Sequence, residues 1–174
     1  MIACVYCGHL NTPGVDECVD CKAPLSDLHL GEPGHVEQGV LGERLATLVT
    51  RPPLVVSPDR PVGEVLKLLA AESLGCVLVV DADRILGIFS ERDALMRLNA
   101  RAQELAARPV SEFMTPDPEC LQGTAKIAFA LQRMDLGGYR HVPVLDDAGH
   151  ATGVISIRDV LRYLTDHMER TAGA

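Results

Sequence analysis

A twelve-residue pattern occurs twice in this chain, and it constrains the fold more than any other feature. "GIFSERDALMRL" (87–98) returns as "GVISIRDVLRYL" (153–164). Both copies have a glycine, two apolar residues, a serine, the pair Arg-Asp and then apolar residues at helical spacing. The stretches before them also match, as "LATLVTRPP" (45–53) and "VSEFMTPDP" (110–118) show. Self-similarity at this period indicates two copies of one supersecondary unit.

Each copy predicts the same order of elements: helix, strand, helix, strand, strand, helix. Apolar residues at helical spacing predict helices at 62–69 and 127–134, and β-branched runs predict strands at 77–80 and 142–145. The sequence therefore predicts an α/β (α+β) fold in which each copy contributes a small three-stranded sheet. A unit of this size buries little core alone, so the copies are expected to pack on each other.

Composition along the chain predicts four segments. A cysteine-rich segment is followed by a polar, glycine-rich stretch without a sustained period, which is typical of an irregular linker. The two repeats follow. The predicted limits are 1–25 for the cysteine-rich segment, 26–42 for the linker, 43–107 for the first repeat and 108–170 for the second.

The serine and aspartate of the doubled pattern are suited to capping the helix that follows them. Ser90 and Ser156 stand between a predicted strand and a predicted helix, and serine is a favoured N-cap. Asp93 and Asp159 lie three residues later, where an acidic side chain completes a capping box and suits the helix dipole. A residue that caps a helix in this way is also able to contact a ligand.

The combination of motifs resembles a tandem pair of cystathionine-β-synthase (CBS) domains, also called a Bateman module. The residues that carry the resemblance are "GIFSERD" (87–93), "VSEFMTPDP" (110–118), "GYRHVPVLDDAG" (138–149) and "GVISIRD" (153–159). It extends over about 130 of the 174 residues. The resemblance implies two domains packed through their sheets with pseudo-twofold symmetry. It also implies two clefts for adenosine compounds, namely AMP, ADP, ATP or S-adenosylmethionine.

The resemblance also implies roles for individual residues. In the family, the aspartate of the S-x-x-D pattern binds the ribose diol and the serine lies near the ribose or phosphate. A carboxylate only accepts hydrogen bonds and therefore suits two hydroxyl donors, whereas phosphate at the same helix N-terminus needs cations of its own. The expected ligand-binding residues are Asp159, Ser156, Arg158, Arg140, His141, Tyr139, Asp93, Ser90 and Arg92.

The two copies differ in their cationic residues. The second copy has "GYRHVPV", with Arg140 and His141, where the first has "SLGCVLVV". We therefore expect unequal affinity, with the tighter site around Asp159. Tyr139 is equally compatible with stacking on a base and with a place in the core.

Two C-x-x-C pairs occupy the cysteine-rich segment. "CVYC" (4–7) and "CVDC" (18–21) fit a tetrahedral zinc site, and the segment resembles short zinc ribbons. Cys4, Cys7, Cys18 and Cys21 are the expected ligands of a structural Zn2+, which would supply the folding energy of so small a segment. Disulfides and a redox pair are the alternatives. Cys76 and Cys120 lie in apolar contexts and are expected to be buried.

The charge balance bears on the choice of partners. The formal net charge is −8, which opposes non-specific binding to nucleic acid or anionic lipid. Aromatic residues make up 3% of the chain and tryptophan is absent, which leaves few surfaces for stacking on bases. We see no apolar run long enough to span a membrane and no signal peptide, so a cytoplasmic protein is expected.

The resemblance implies a non-enzymatic regulatory module that binds an adenosine compound and signals to a protein partner. It also implies a homodimer formed through the helices at 93–98 and 159–168. The sequence shows no nucleophile–base pair, open metal site or glycine-rich phosphate loop, so an enzyme is not supported. Two alternatives remain: a degenerate pair that serves dimerisation or docking without ligand, and a nucleic-acid-binding regulator that acts through the zinc ribbon.

Overall fold

The computed structural model describes residues 1–12, 15–25, 40–49 and 51–172, with side chains as far as residue 168. Contacts group the chain into two compact units. The first unit contains residues 1–49, 121–142 and 155–174, and the second contains 50–120 and 143–154. Most of the predicted linker lies outside the described residues, and the predicted domain limits stay predictions.

The cysteine-rich segment, which opens the first unit, begins with an antiparallel pair of strands, β1 (Ile2–Ala3) and β2 (Leu10–Asn11). Two equivalent turns follow the paired cysteines. The Gly8 N–H donates to the Cys4 carbonyl at 2.8 Å, and the Lys22 N–H donates to the Cys18 carbonyl at 2.9 Å. Gly8 has φ +81° and Lys22 has φ +61°. Lys22 thus adopts the left-handed conformation that glycine takes at the first turn.

A four-stranded sheet forms the centre of the second unit. Its strands are β3 (Val55–Val56), β4 (Cys76–Asp81), β5 (Arg84–Ser90) and β6 (Thr115–Pro116), in that order across the sheet. β3 runs parallel to β4, whereas β4, β5 and β6 are antiparallel neighbours. The sequence predicted three strands for this sheet. The fourth, β6, comes from the beginning of the second repeat.

Strand β4 is apolar from Cys76 to Val80, and both of its faces are covered. Val77 and Val79 face a core that includes Val65 and Leu69 of α1 (Val62–Ala71). Cys76 and Leu78 lie on the other face, in a cluster with Ile88, Ala151 and Val154. Since side chains alternate along a strand, a strand buried on both faces needs a continuous apolar run.

The chain after β5 forms short helical segments. α2 (Glu91–Asp93) continues into a π-helical turn at Ala94–Leu98, and a 3-10 turn then leads to α3 (Ala102–Leu105). Leu98 and Leu105 anchor this stretch in the core of the second unit. The predicted helix at 93–98 is therefore helical, but as a π-helical turn and not as a regular α-helix.

The segment that begins each repeat is hydrogen-bonded to the other repeat. In the second unit, the Val62 N–H donates to the Arg108 carbonyl at 2.8 Å and the Val110 N–H donates to the Arg60 carbonyl at 2.9 Å. In the first unit, the Leu45 N–H donates to the Ala125 carbonyl at 2.8 Å. The first helix of the predicted order is only a 3-10 turn in the first repeat, Leu45–Thr47, because its backbone groups are engaged in this pairing.

The second repeat supplies the remaining elements. They are β7 (Leu121–Gln122), α4 (Ile127–Gly137), β8 (His141–Leu145), β9 (Ala151–Ser156) and α5 (Ile157–Ala172), and the three strands form a sheet in the order β7-β8-β9. α4 buries Ile127, Ala130 and Met134, as the helical spacing predicted. The mixed α+β fold with small sheets is thereby confirmed.

Candidate functional site

Both predicted capping boxes are present and have the same geometry. In the second unit, Ser90 donates to Asp93 Oδ2 from its backbone N–H at 2.9 Å and from its hydroxyl at 2.6 Å. In the first unit, Ser156 donates to Asp159 Oδ2 in the same two ways, at 2.8 and 2.6 Å. Each aspartate thus commits one carboxylate oxygen to beginning its own helix.

The second carboxylate oxygen distinguishes the two aspartates. Asp93 Oδ1 accepts a hydrogen bond from the Thr115 hydroxyl at 2.9 Å and lies 3.5 Å from Nη2 of Arg97. Asp159 Oδ1 has its nearest recorded cation, Arg162 Nη1, at 3.9 Å. The Asp93 side chain is 11% exposed and that of Asp159 is 30% exposed. Asp159 therefore offers an accessible acceptor, whereas the carboxylate of Asp93 already accepts three hydrogen bonds and has a cation beside its second oxygen.

Arg97 holds the Asp93 side of the second unit together. Its guanidinium donates to the carbonyls of Phe113 and Met114 and, at 3.2 Å, to the Thr115 hydroxyl. In the doubled pattern Arg97 corresponds to Tyr163, which is buried. Neither Arg97 nor Thr115 belongs to a recognisable motif, because the contacts that join residues 93 and 97 to residues 113–115 span 16 to 22 positions of the chain.

The predicted residues 139–141 lie beside the N-terminus of α5 in the first unit. The Arg140 carbonyl accepts a hydrogen bond from the Ile157 N–H at 3.0 Å. This hydrogen bond brings the segment 139–141 next to Ser156. The structure thus gathers Tyr139, Arg140, His141, Ser156, Arg158 and Asp159 in one unit, whereas Ser90, Arg92 and Asp93 lie in the other.

Tyr139 is placed by the end of α4. Gly138 ends the helix in the left-handed conformation, with φ +64°, and the Tyr139 N–H donates back to the Met134 carbonyl at 3.0 Å. The Tyr139 ring lies where a Cβ on Gly137 would be, so glycine is needed at that position. Tyr139 remains 40% exposed and is not a core residue.

The four cysteines of the first segment converge on one point. Their sulfur atoms all lie within 4.8 Å of one another, with Cys4–Cys21 and Cys7–Cys18 separations of 3.6 Å. Four thiolates about 2.3 Å from a central Zn2+ would stand about 3.8 Å apart. The donor set and its dimensions therefore fit a tetrahedral zinc ion. It is the one such cluster of three or more ligand groups among the residues with a described placement.

Asn11 braces this cluster and has no counterpart among the predicted site residues. Its Nδ2 donates to Cys18 Sγ at 3.4 Å and to the His9 carbonyl at 3.0 Å, and its Oδ1 accepts from the Val19 N–H at 3.0 Å. Asn11 is 1% exposed. A single asparagine between two cysteine pairs carries no motif, so only the folded structure reveals it.

The cysteine environments affect ionisation in opposite directions. Burial opposes ionisation of Cys18, but N–H donors from Cys21, Asn11 and Asp20 outweigh it and lower its pKa to about 6. Burial raises the pKa of Cys21 to about 11 and raises that of Cys7 further. The N–H donors around Cys18 thus favour its thiolate, which is the form of cysteine that binds a metal.

A shallow cavity of about 380 Å³ lies in the second unit, between the hairpin turn of β4–β5 and the turn between β8 and β9. Its lining includes residues 82–85, Cys120 and residues 148–150. Cys120 borders this cavity and is half-buried, so the expectation that it is buried was wrong; Cys76 is buried as expected. None of the predicted ligand-binding residues lines this cavity.

The repeated sheet-and-helix unit, with a serine–aspartate box at the start of its last helix, defines a tandem-repeat α+β protein. Residues 45–100 and 110–166 match the CBS domain family. The chain therefore belongs to the CBS domain family and carries two such domains in tandem.

Known proteins agree with this membership. The chain is similar to an uncharacterized 17.7 kDa protein of Acidianus ambivalens, at 30% identity over 127 residues, which covers 72% of this chain and 76% of that protein. It spans between 14% and 26% of the length of seven further curated relatives.

Solved structures are similar to the same part of the chain. A CBS-domain containing protein of Agrobacterium tumefaciens superposes with a TM-score of 0.63 at 32% identity, covering 69% of this chain and 98% of that one. A CBS domain protein of Pyrobaculum aerophilum, solved in complex with AMP, superposes with a TM-score of 0.61 at 28% identity, covering 71% of this chain and 99% of that one. Among the described residues, no helix has the length and apolar character of a membrane span.

Proposed function

We propose that this chain is a non-enzymatic regulatory module that binds an adenosine compound at Asp159 and signals to a protein partner. The observation that carries the proposal is the contrast between the two aspartates. Asp159 has an accessible carboxylate oxygen beside a helix N-terminus and the segment 139–141, whereas the oxygens of Asp93 are already bonded. The solved relative with bound AMP supports the choice of ligand class.

In this proposal each residue contacts a different part of the ligand. Asp159 accepts the two ribose hydroxyls, and Ser156 keeps the carboxylate in place. Arg140, His141 and Arg158, near the positive end of the α5 dipole, attract the phosphate or, in S-adenosylmethionine, the carboxylate. Tyr139 offers its exposed ring to the base.

The test is a thermal-shift and calorimetry screen of the full chain with AMP, ADP, ATP and S-adenosylmethionine. A ligand at about a hundred times its dissociation constant stabilises the protein by roughly 2.7 kcal/mol. We expect Asp159→Asn to abolish the shift and the matched variant Asp93→Asn to retain it. If none of the four compounds shifts the wild-type protein, the pair serves docking or dimerisation without ligand and the proposal fails.

We also propose that Cys4, Cys7, Cys18 and Cys21 hold one structural Zn2+ and that this segment is a zinc ribbon. The support is the tetrahedral spacing of the four sulfurs and the N–H donors around Cys18. Elemental analysis of the purified chain should find about one zinc ion per molecule. Cys18→Ser should lose it, whereas Cys120→Ser, outside the cluster, should keep it. Iron in place of zinc would contradict the assignment.

A further inference from the structure

The cysteine-rich segment and α4 lie in the same unit and are joined by two side-chain hydrogen bonds. Lys126 Nζ donates to the Val5 carbonyl at 3.2 Å, and Gln132 Nε2 donates to the Cys21 carbonyl at 3.3 Å. Val5 lies inside the first C-x-x-C pair, and Cys21 closes the second. Lys126 is the N-cap residue of α4. One side chain at the beginning of α4 and one in its second turn therefore hold one cysteine pair each.

An aromatic side chain of α4 adds an apolar contact with the cysteine-rich segment. Phe129 packs against the buried cluster formed by Cys4, Cys18, Cys21, Ala23 and Leu25. The guanidinium of Arg133 lies 5.9 Å from the centroid of the Phe129 ring, within cation–π distance. Residues 126, 129, 132 and 133 recur at helical spacing, so α4 presents one continuous face to the cysteine-rich segment.

The other face of α4 is turned to the interior. Ile127, Ala130 and Met134 are buried there. The helix ends at Gly138, directly before Tyr139 and Arg140, and the Arg140 carbonyl bonds the first N–H of α5. A single rigid element thus runs from the cysteine cluster to the residues proposed to bind the adenosine compound.

We propose that the zinc-loaded cysteine-rich segment is a metal-dependent clamp on α4, which fixes the segment 139–141 and thereby couples zinc occupancy to ligand affinity at Asp159. The coupling rests on the proposed function, whereas the clamp does not. So small a segment folds only with its metal, because the ion replaces the core it lacks. Without zinc, the Val5 and Cys21 carbonyls lose their fixed positions and Phe129 loses its cover. Coupling between two sites is reciprocal, so the ligand also strengthens zinc binding.

Hydrogen exchange on the full chain tests the clamp without any ligand. Amide exchange is compared between the zinc-loaded protein and the same protein stripped with a chelator. We expect exchange in α4 and at residues 139–141 to accelerate about tenfold or more on stripping, while α1, the counterpart helix of the second unit, keeps its protection. Unchanged protection of α4, or an equal loss in α1, overturns the clamp.

Substitutions on α4 test whether its side chains act on the metal. Phe129→Ala and Gln132→Ala should each weaken zinc binding about tenfold in competition with a chelating dye, because groups that support the ligands of a metal affect its affinity on this scale. Lys67→Ala is the matched control, since Lys67 is an exposed residue at the position of α1 that corresponds to Gln132. Equal zinc affinity in all three variants and the wild type overturns the proposal.

Calorimetry completes the test. The adenosine compound found in the screen is titrated into zinc-loaded and zinc-free protein. We expect binding to be about fivefold weaker or more without zinc; equal affinity overturns the coupling. If no adenosine compound binds the zinc-loaded chain, the proposed function fails, and hydrogen exchange still decides the clamp.

Discussion

At the scale of single residues, the two copies of the repeated pattern have diverged in what their aspartates can do. Asp93 and Asp159 keep the same capping contact to serine. They differ because Thr115 and Arg97 bind the second oxygen of Asp93, whereas Asp159 remains more exposed. The capping contacts were predictable because they span three residues of sequence. The contacts of Thr115 were not, because Thr115 lies 22 residues from Asp93.

The difference between Asp93 and Asp159 predicts that their asparagine variants differ in stability. In Asp93→Asn, the new amide group faces N–H or O–H donors, so we expect the free energy of unfolding to fall by about 1–3 kcal/mol. Asp159→Asn can turn its amide toward solvent and should cost less than about 1 kcal/mol. Urea unfolding of the ligand-free protein measures both. Equal losses would contradict the assignment of Asp93 to a filled position.

The cysteine environments predict how zinc binding depends on pH. Without metal the thiols of this segment are mostly protonated near pH 7, because an exposed cysteine has a pKa of about 8.5 and, in the folded arrangement, burial raises the pKa of Cys21 to about 11 and that of Cys7 further. Zinc takes thiolates, so binding must displace the protons of Cys7 and Cys21. Zinc affinity should therefore rise with pH above neutrality. Titration calorimetry in buffers of different ionisation enthalpy counts the released protons, and an absence of proton release would refute this reading.

At the scale of elements, close approach of the β5 and β6 backbones depends on Gly87. Gly87 pairs with Pro116, and a Cβ there would lie 2.9 Å from the Thr115 carbonyl and against Met114. A glycine inside a strand often marks a close approach of another backbone, and the doubled pattern places one at position 87. Its partner strand could not be foreseen, because β6 belongs to the beginning of the second repeat and joins the sheet only through tertiary contacts.

Gly87→Ala should therefore destabilise the protein by about 1–3 kcal/mol, as overpacking of a tight site does. Gly42→Ala is the matched control, because no atom lies within 4 Å of the Cβ it would add. We expect Gly42→Ala to stay within about 0.5 kcal/mol of the wild type in urea unfolding. A Gly87→Ala protein as stable as its control would argue against the observed pairing of β5 with β6.

At the scale of the whole molecule, α5 leaves apolar side chains exposed. Leu161 is 56% exposed and Met168 is 62% exposed, and the seven-residue spacing puts them on one face of the helix. We propose that this face contributes to a homodimer. Light scattering at micromolar concentration should find twice the mass of one chain, and Leu161→Glu should shift the protein toward monomer.

Arg162→Ala is the control for that experiment, because it changes the net charge by the same amount at a neighbouring, exposed position. A wild-type monomer, or equal dissociation of both variants, would remove the proposed dimer. Sequence reasoning identified this helix through the family resemblance. It could not show which of the helix's side chains remain outside the core.

The contact between α4 and the cysteine-rich segment has a consequence for the order in which the protein is made. Val5 and Cys21 leave the ribosome more than a hundred residues before the side chains that hold them, Lys126 and Gln132. Domains generally fold from the N-terminus as the chain emerges at about 5–20 residues per second. The cysteine-rich segment is therefore exposed for several seconds before α4 has been synthesised. Binding of the metal during this time would keep its thiols from oxidation and from binding other metal ions.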